Sequence, residues 1–189
     1  PWPQTQWAVN VLAYLQLMMR LQPALRRAAP SRVVNVVSDL SGGLDTTDPE
    51  YVRRASSYDA VEARVRSASR HHAHPQPRAT SRCAPRAAQA YSASKQAEVM
   101  LTWEAADRMR VDGVAVNAAH PGALPSTRLV QGAMGPLAGM MGEMDTPAQC
   151  ASTEVLLATH PALANVTGTY WRYNRPVLPR MYDESRPRR

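Results

Sequence analysis

Phenylalanine is absent from this chain of 189 residues, cysteine occurs twice and lysine once. Aromatic residues make up only 6%, so a core has to be assembled from Val, Leu, Ala and Met. The two cysteines, Cys83 and Cys150, stand far apart without CxxC spacing, which argues against a zinc site or a disulfide framework. No segment approaches the roughly 18 consecutive apolar residues of a membrane span; the most apolar stretch, Val9 to Leu25, is interrupted by Asn10, Gln16, Arg20, Gln22 and Pro23. Neither an anchor nor a signal peptide is visible, and the expectation is a soluble chain, cytoplasmic or organellar. The length suits one domain with a real core. A first residue other than methionine suggests a fragment or a processed product.

The shortage of lysine is informative because positive charge is plentiful. Of the 22 Lys and Arg positions, 21 are Arg and the remaining one is Lys95. A general need for charge therefore did not put lysine there. Lys95 follows Tyr91 by four residues in Tyr91-Ser92-Ala93-Ser94-Lys95, and on a helix that spacing stacks the two on one face. A phenol ordinarily ionises near pH 10, and an adjacent ammonium favours the phenolate through its charge.

The net charge of +7 is concentrated in two places. From Ala63 to Ala88 there are six arginines, no acid, and Pro, Ser and His between them; Arg186-Pro187-Arg188-Arg189 repeats that character. Such a stretch has too few large apolar groups to offset its ordering entropy. We expect a disordered insertion at 63–88 and a basic tail at 186–189. The insertion lacks the aromatic platform of a nucleic-acid binder, so no specific nucleic-acid partner is expected. His71-His72-Ala73-His74 lacks companions at a structural metal spacing, so no metal site is expected either.

The rest of the chain alternates between helical and strand patterns. Trp7, Val11, Tyr14, Met18, Leu21 and Leu25 recur at intervals of four and three, which predicts a helix over residues 5 to 28, capped by Thr5, loosened by Pro23 and closed by Pro30. Arg32 to Val37 is a β-branched run suited to a central parallel strand, with Ser38 at its carboxyl end and Ser41-Gly42-Gly43 turning away. A second long helix is predicted from about Ala87 to Arg110, then a strand over Gly113 to Ala118 that breaks at His120-Pro121-Gly122. A helix from Thr146 to Ala158 and a last strand over Asn165 to Trp171 follow. This order predicts an α/β fold: a Rossmann-type parallel sheet with flanking helices.

In open α/β sheets, sites form beyond the carboxyl ends of the strands. Ser38 and Pro121-Gly122 fall there, and Tyr91 with Lys95 opens the helix between those strands. With Trp7-Ala8-Val9-Asn10-Val11, the Val-rich strand ending in Ser38, Tyr91 to Lys95, and Val116 to Gly122, the chain resembles the short-chain dehydrogenase/reductase family. Val37 to Leu44 and His120-Pro121-Gly122 look most like its retinol-dehydrogenase-like and protochlorophyllide-reductase-like branch.

The resemblance implies an NAD(P)-dependent oxidoreductase acting on a carbonyl or alcohol substrate, a lipophilic one among the expectations, with NADP favoured by the branch alone. It implies that Tyr91 exchanges the proton, Lys95 holds the nicotinamide ribose, Ser38 bonds the substrate oxygen and Asn10 supports a water path to the lysine. Pro121 and Gly122, with Ser126 or Thr127, would bracket the nicotinamide amide. The two long helices would mediate homo-oligomer formation.

The sequence departs from the family in two ways. It contains no Gly-rich TGxxxGxG turn, so the expected fold is the carboxyl-terminal half of the domain without its first strands. The interval from Ser38 to Tyr91 is also lengthened by the Arg-rich stretch. An alternative reading is therefore a catalytically inactive truncated paralogue that acts through helix-mediated pairing.

Overall fold

The computed structural model describes residues 2–49, 84–122 and 145–179. A first helix, α1, joins an α-helical stretch Trp2–Trp7, a π-helical turn Ala8–Leu12 and an α-helix Ala13–Arg27. It begins before Thr5, which is therefore not its cap. It also runs through Pro23 without a break in assignment. Strand β1 is Ser31–Val36, helix α2 is Ala84–Met109, strand β2 is Val114–His120 and helix α3 is Pro147–Thr159. Two short strands, β3 (Tyr170–Arg172) and β4 (Arg175–Pro176), finish the sheet.

The strand order is β1-β2-β3-β4. β1 pairs parallel with β2 from Ser31↔Val114 to Val36↔Ala119, and β2 pairs parallel with β3; β4 is antiparallel at the edge. The expected parallel sheet with flanking helices is therefore present. β2, flanked on both sides, is buried along its whole length, as its near-continuous apolar run requires.

Alternate residues on the strands pack on opposite faces. On one face Met18 of α1 and Ala105, Ala106 and Met109 of α2 cluster with Val114 and Val116, while Val37, Val99, Ala118 and Tyr170 form a second cluster further along. On the other face Ala119, Trp171 and Val34 pack with Leu156 and Leu157 of α3. Alanine is the main residue where α2 meets the sheet, which lets a helix backbone lie close to the strands. Asn35 is the buried polar residue of β1; its amide donates to Thr102 Oγ1 of α2 at 2.9 Å.

Three boundaries differ from expectation. α2 starts at Ala84, so residues 84–88 of the expected insertion are helical backbone; residues 63–83 and the tail lie outside the described residues. β2 continues through His120 rather than breaking there. Residues 165–169 are not a strand: Gly168 N and the Thr169 carbonyl bond the β2 backbone at 2.8 and 2.9 Å, but between them side chains interrupt the ladder, with Val116 N donating to Thr167 Oγ1 at 2.9 Å and Asn117 Oδ1 accepting from Thr169 N and Oγ1 at 3.1 and 2.7 Å. Gly168 adds a left-handed backbone, φ 72°. Helix α3 starts as expected, with Thr146 and Gln149 forming a reciprocal capping box and Pro147 in the first turn.

Candidate active site

Lys95 joins α2 to the carboxyl end of β1. Its Nζ donates to the Val36 carbonyl at 3.1 Å, two residues before Ser38. It lies 5.8 Å from the ring centres of both Tyr91 and Tyr14. Tyr91 precedes it by about one turn of the same helix, so the i,i+4 spacing places both on one face as predicted.

The segment after β1 is laid along this same part of α2. Gly42 N donates to the Ser92 carbonyl at 3.1 Å, and Leu44 N to Gln96 Oε1 at 2.8 Å. These bonds flank the Tyr91–Lys95 turn. Ser38, which accepts a hydrogen bond from Leu40 N at 3.1 Å, is thus held at the end of the strand that Lys95 touches.

Asn10 approaches from the opposite side, out of the π-helical turn Ala8–Leu12. Its Nδ2 donates to Ser94 Oγ at 2.9 Å and to Gln6 Oε1 at 3.0 Å, and Ser94 Oγ in turn donates to the Tyr91 carbonyl at 2.7 Å. π-Helical turns recur at functional sites because the widened ladder re-aims a side chain. The structure therefore gathers Asn10, Ser38, Tyr91 and Lys95 around the amino-terminal half of α2.

Pro121 and Gly122 stand at the carboxyl end of β2, on the neighbouring strand. Gly122 has φ 86°, and a Cβ there would lie 2.8 Å from Asp145 Oδ2 and 3.6 Å from Cys150 Sγ. The left-handed backbone favours glycine at this position, and any side chain there would also displace the Asp145 carboxylate. Ser126 and Thr127 lie outside the described residues.

Sequence reasoning missed two groups of residues. The first is Glu98, a wholly buried carboxyl group with Oε2 2.7 Å from Lys95 Nζ. Burial raises its pKa to about 7, against the opposing pull of the Lys95 ammonium. Tyr14 is likewise raised, by burial first and then by the charge on Glu98. The signal for Glu98 was an acid three residues beyond the chain's one lysine, an i,i+3 spacing.

The second group ties the strand ends together. Asp39 accepts from Tyr170 Oη at 2.7 Å, forms an ion pair with Arg172, and has His120 Nε2 3.9 Å away. His120 Nδ1 accepts from Gly122 N at 3.1 Å, which leaves the ring proton on Nε2, facing Asp39. Nothing in the spacing of residues 39, 120, 170 and 172 shows this pairing; only the strand order brings them to one rim.

Among the described residues no group of His, Cys, Asp and Glu could hold a metal ion, and no helix is long and apolar enough to cross a membrane. No family model matches the chain. A "probable oxidoreductase" from Streptomyces antibioticus is 31% identical over 198 residues, covering 97% of this chain and 56% of its own length. Retinol dehydrogenase 13 of Homo sapiens is 26% identical over 180 residues, covering 89% of this chain and 45% of its own. Solved short-chain dehydrogenase/reductase structures share the fold; the 3-alpha-hydroxysteroid dehydrogenase from Pseudomonas, complexed with NADH, aligns at a TM-score of 0.57 and 21% identity, covering 87% of this chain and 62% of that one.

The chain is thus similar over most of its length to a probable oxidoreductase and to retinol dehydrogenase 13, and it shares the fold of solved short-chain dehydrogenase/reductase structures. It spans about half the length of the curated relatives it matches.

Proposed function

We propose that these residues form the catalytic part of an NAD(P)-dependent oxidoreductase that interconverts a carbonyl and an alcohol. The observation that carries this reading is Lys95 Nζ, bound to the backbone end of β1 beside Ser38 and one turn from Tyr91. A lysine ammonium has three N–H donors. With one on the Val36 carbonyl and one facing Glu98, a third is left for a ribose hydroxyl. The residues present therefore fit the nicotinamide-ribose end of a dinucleotide. Bound nicotinamide would supply the hydride chemistry.

In this reading Tyr91 Oη gives or takes the proton of the substrate oxygen, with the Lys95 ammonium beside its ring. Ser38 Oγ holds the same substrate oxygen as charge develops on it. Asn10, joined through Ser94 to the backbone of Tyr91, fixes the amino-terminal half of α2 and supports a water path toward Lys95. Pro121 and Gly122, with Ser126 or Thr127, bracket the nicotinamide amide. The steroid dehydrogenase relative of known structure holds NADH, in keeping with a nicotinamide cofactor, and a lipophilic substrate is in keeping with the retinol dehydrogenase likeness. NADP in preference to NAD is supported by the branch resemblance alone. With the chain joined behind a Gly-rich βαβ unit, following reduced-nicotinamide absorbance with retinoid and steroid alcohols tests the activity directly: oxidation of neither, nor reduction of the matching carbonyls, would remove the lipophilic-substrate reading.

A second reading is pairing of two copies through α1. Leu12, Leu15 and Met19 recur along this helix and are exposed, as are Val9, Leu17 and Leu21. Exposed apolar residues along one helix in this way are in keeping with an interaction surface. Sedimentation of the chain tests it: a monomer at micromolar concentration would remove this reading.

A further inference from the structure

Lys95 Nζ is held inside the protein by a hydrogen bond to the Val36 carbonyl at 3.1 Å and an ion pair with Glu98 Oε2 at 2.7 Å. Glu98 is fully buried, and beyond that ion pair neither of its carboxyl oxygens has a hydrogen-bond partner among the described residues. A carboxyl group in that setting is expensive to ionise unless a cation stays beside it. Conversely, the lysine side chain, only 11% exposed, has little water of its own to stabilise its charge.

We propose that Glu98 is the positioning residue of Lys95, drawing the ammonium inward against the end of β1 so that a single N–H stays directed to the Tyr91 side of the site. This rests on the oxidoreductase reading above. It goes further by naming the residue that fixes the lysine.

The surroundings support a direct coupling between the two groups. The charged or titratable groups facing Glu98 are Lys95 on its own helix and Tyr14 from α1. From the sheet, Val37, Val116 and Ala118 pack against α2 with apolar side chains, Tyr170 joins the Val99 cluster with its hydroxyl bonded to Asp39, and Asn35 bonds Thr102. The next polar group along α2, Thr102, donates its hydroxyl to the Glu98 backbone carbonyl at 2.8 Å and accepts from Asn35, so it is not free to serve the carboxylate. Burial lifts the Glu98 carboxyl to about 7. The pair therefore changes charge in the neutral range, where an ordinary glutamate would be fully ionised.

The single lysine makes this measurable without turnover. With lysine isotope-labelled at Cε, the 189-residue chain gives one lysine side-chain resonance. The proposal expects that resonance to shift with pH about a midpoint near 7, the shift to be lost in Glu98→Gln, and a pH-dependent shift with a displaced midpoint to return in Glu98→Asp. A wild-type resonance that stays constant between about pH 5 and about pH 9, or one that titrates alike in wild type and Glu98→Gln, would overturn it. Failure of the oxidoreductase reading would appear elsewhere, as absent turnover beside an intact lysine titration.

Discussion

Lys95 Nζ and Glu98 Oε2 are 2.7 Å apart, and the carboxyl group has no exposed surface. This pair lies under the Tyr91 turn and makes the protonation of the site's interior part of the fold's stability. Glu98 is raised from 4.5 to about 7 by burial, so the folded chain holds that proton more tightly than the unfolded chain. Its contribution is complete below about pH 4.5 and is lost as pH rises through about 7. At about 1.4 kcal/mol per pKa unit, the change amounts to about 3 kcal/mol. Urea denaturation of wild type and Glu98→Gln at a series of pH values checks this. The wild type should lose about 3 kcal/mol relative to the variant across that window, whereas a pH-independent difference would show that Glu98 is not raised.

The network at the strand ends should also contribute to stability. Asp39→Ala removes the acceptor of Tyr170 Oη and the partner of Arg172, leaving both donors on a partly buried rim. A loss of about 2–3 kcal/mol is expected, read as a lower denaturation midpoint. A change under about 0.5 kcal/mol would place the network among ordinary surface pairs.

Gly122→Ala should destabilise the turn after β2. The new methyl would meet Asp145 Oδ2 at 2.8 Å on a backbone with φ 86°, and such strain costs on the order of 1–3 kcal/mol. Thermal denaturation measures it; an unchanged midpoint would mean that Asp145 swings clear and the backbone relaxes.

Much of this arrangement was legible in the residues. Val33, Val34, Val36 and Val37 declared a parallel strand, although β1 stands at one end of the described sheet instead of its centre and is mostly half-buried, and Tyr91 with Lys95 declared a helix face, because strand runs and i,i+4 spacings are local properties. The ends of elements were less legible. Thr5 reads as a cap only if nothing helical precedes it, and residues 165–169 read as a strand until Asn117 and Thr167 supply side-chain bonds that a linear pattern does not display. Glu98 and Asp39 were missed for a related reason. Each is an ordinary acid in sequence, and its partners come either from burial or from strands distant in the chain.

Lys95→Arg tests whether the lone lysine is there for its shape as well as its charge. A planar guanidinium cannot take the place of a compact ammonium between Val36 O and Glu98. The variant should remain folded but lose the pH-dependent coupling to Glu98, and lose at least about 100-fold in turnover wherever turnover is measured. Turnover within about threefold of wild type would show that a positive charge alone suffices.

The central claim is that Tyr91 is the proton donor of a nicotinamide-dependent site, and the most direct measurement compares Tyr91→Phe with wild type. The 189 residues contain no TGxxxGxG turn to anchor a pyrophosphate, so the comparison is made with the chain joined behind a Gly-rich βαβ unit. Reduced-nicotinamide binding and carbonyl reduction are then both followed. Tyr91→Phe should bind the dinucleotide within about threefold of wild type and lose at least about 100-fold in turnover. Wild-type turnover in the phenylalanine variant would contradict it.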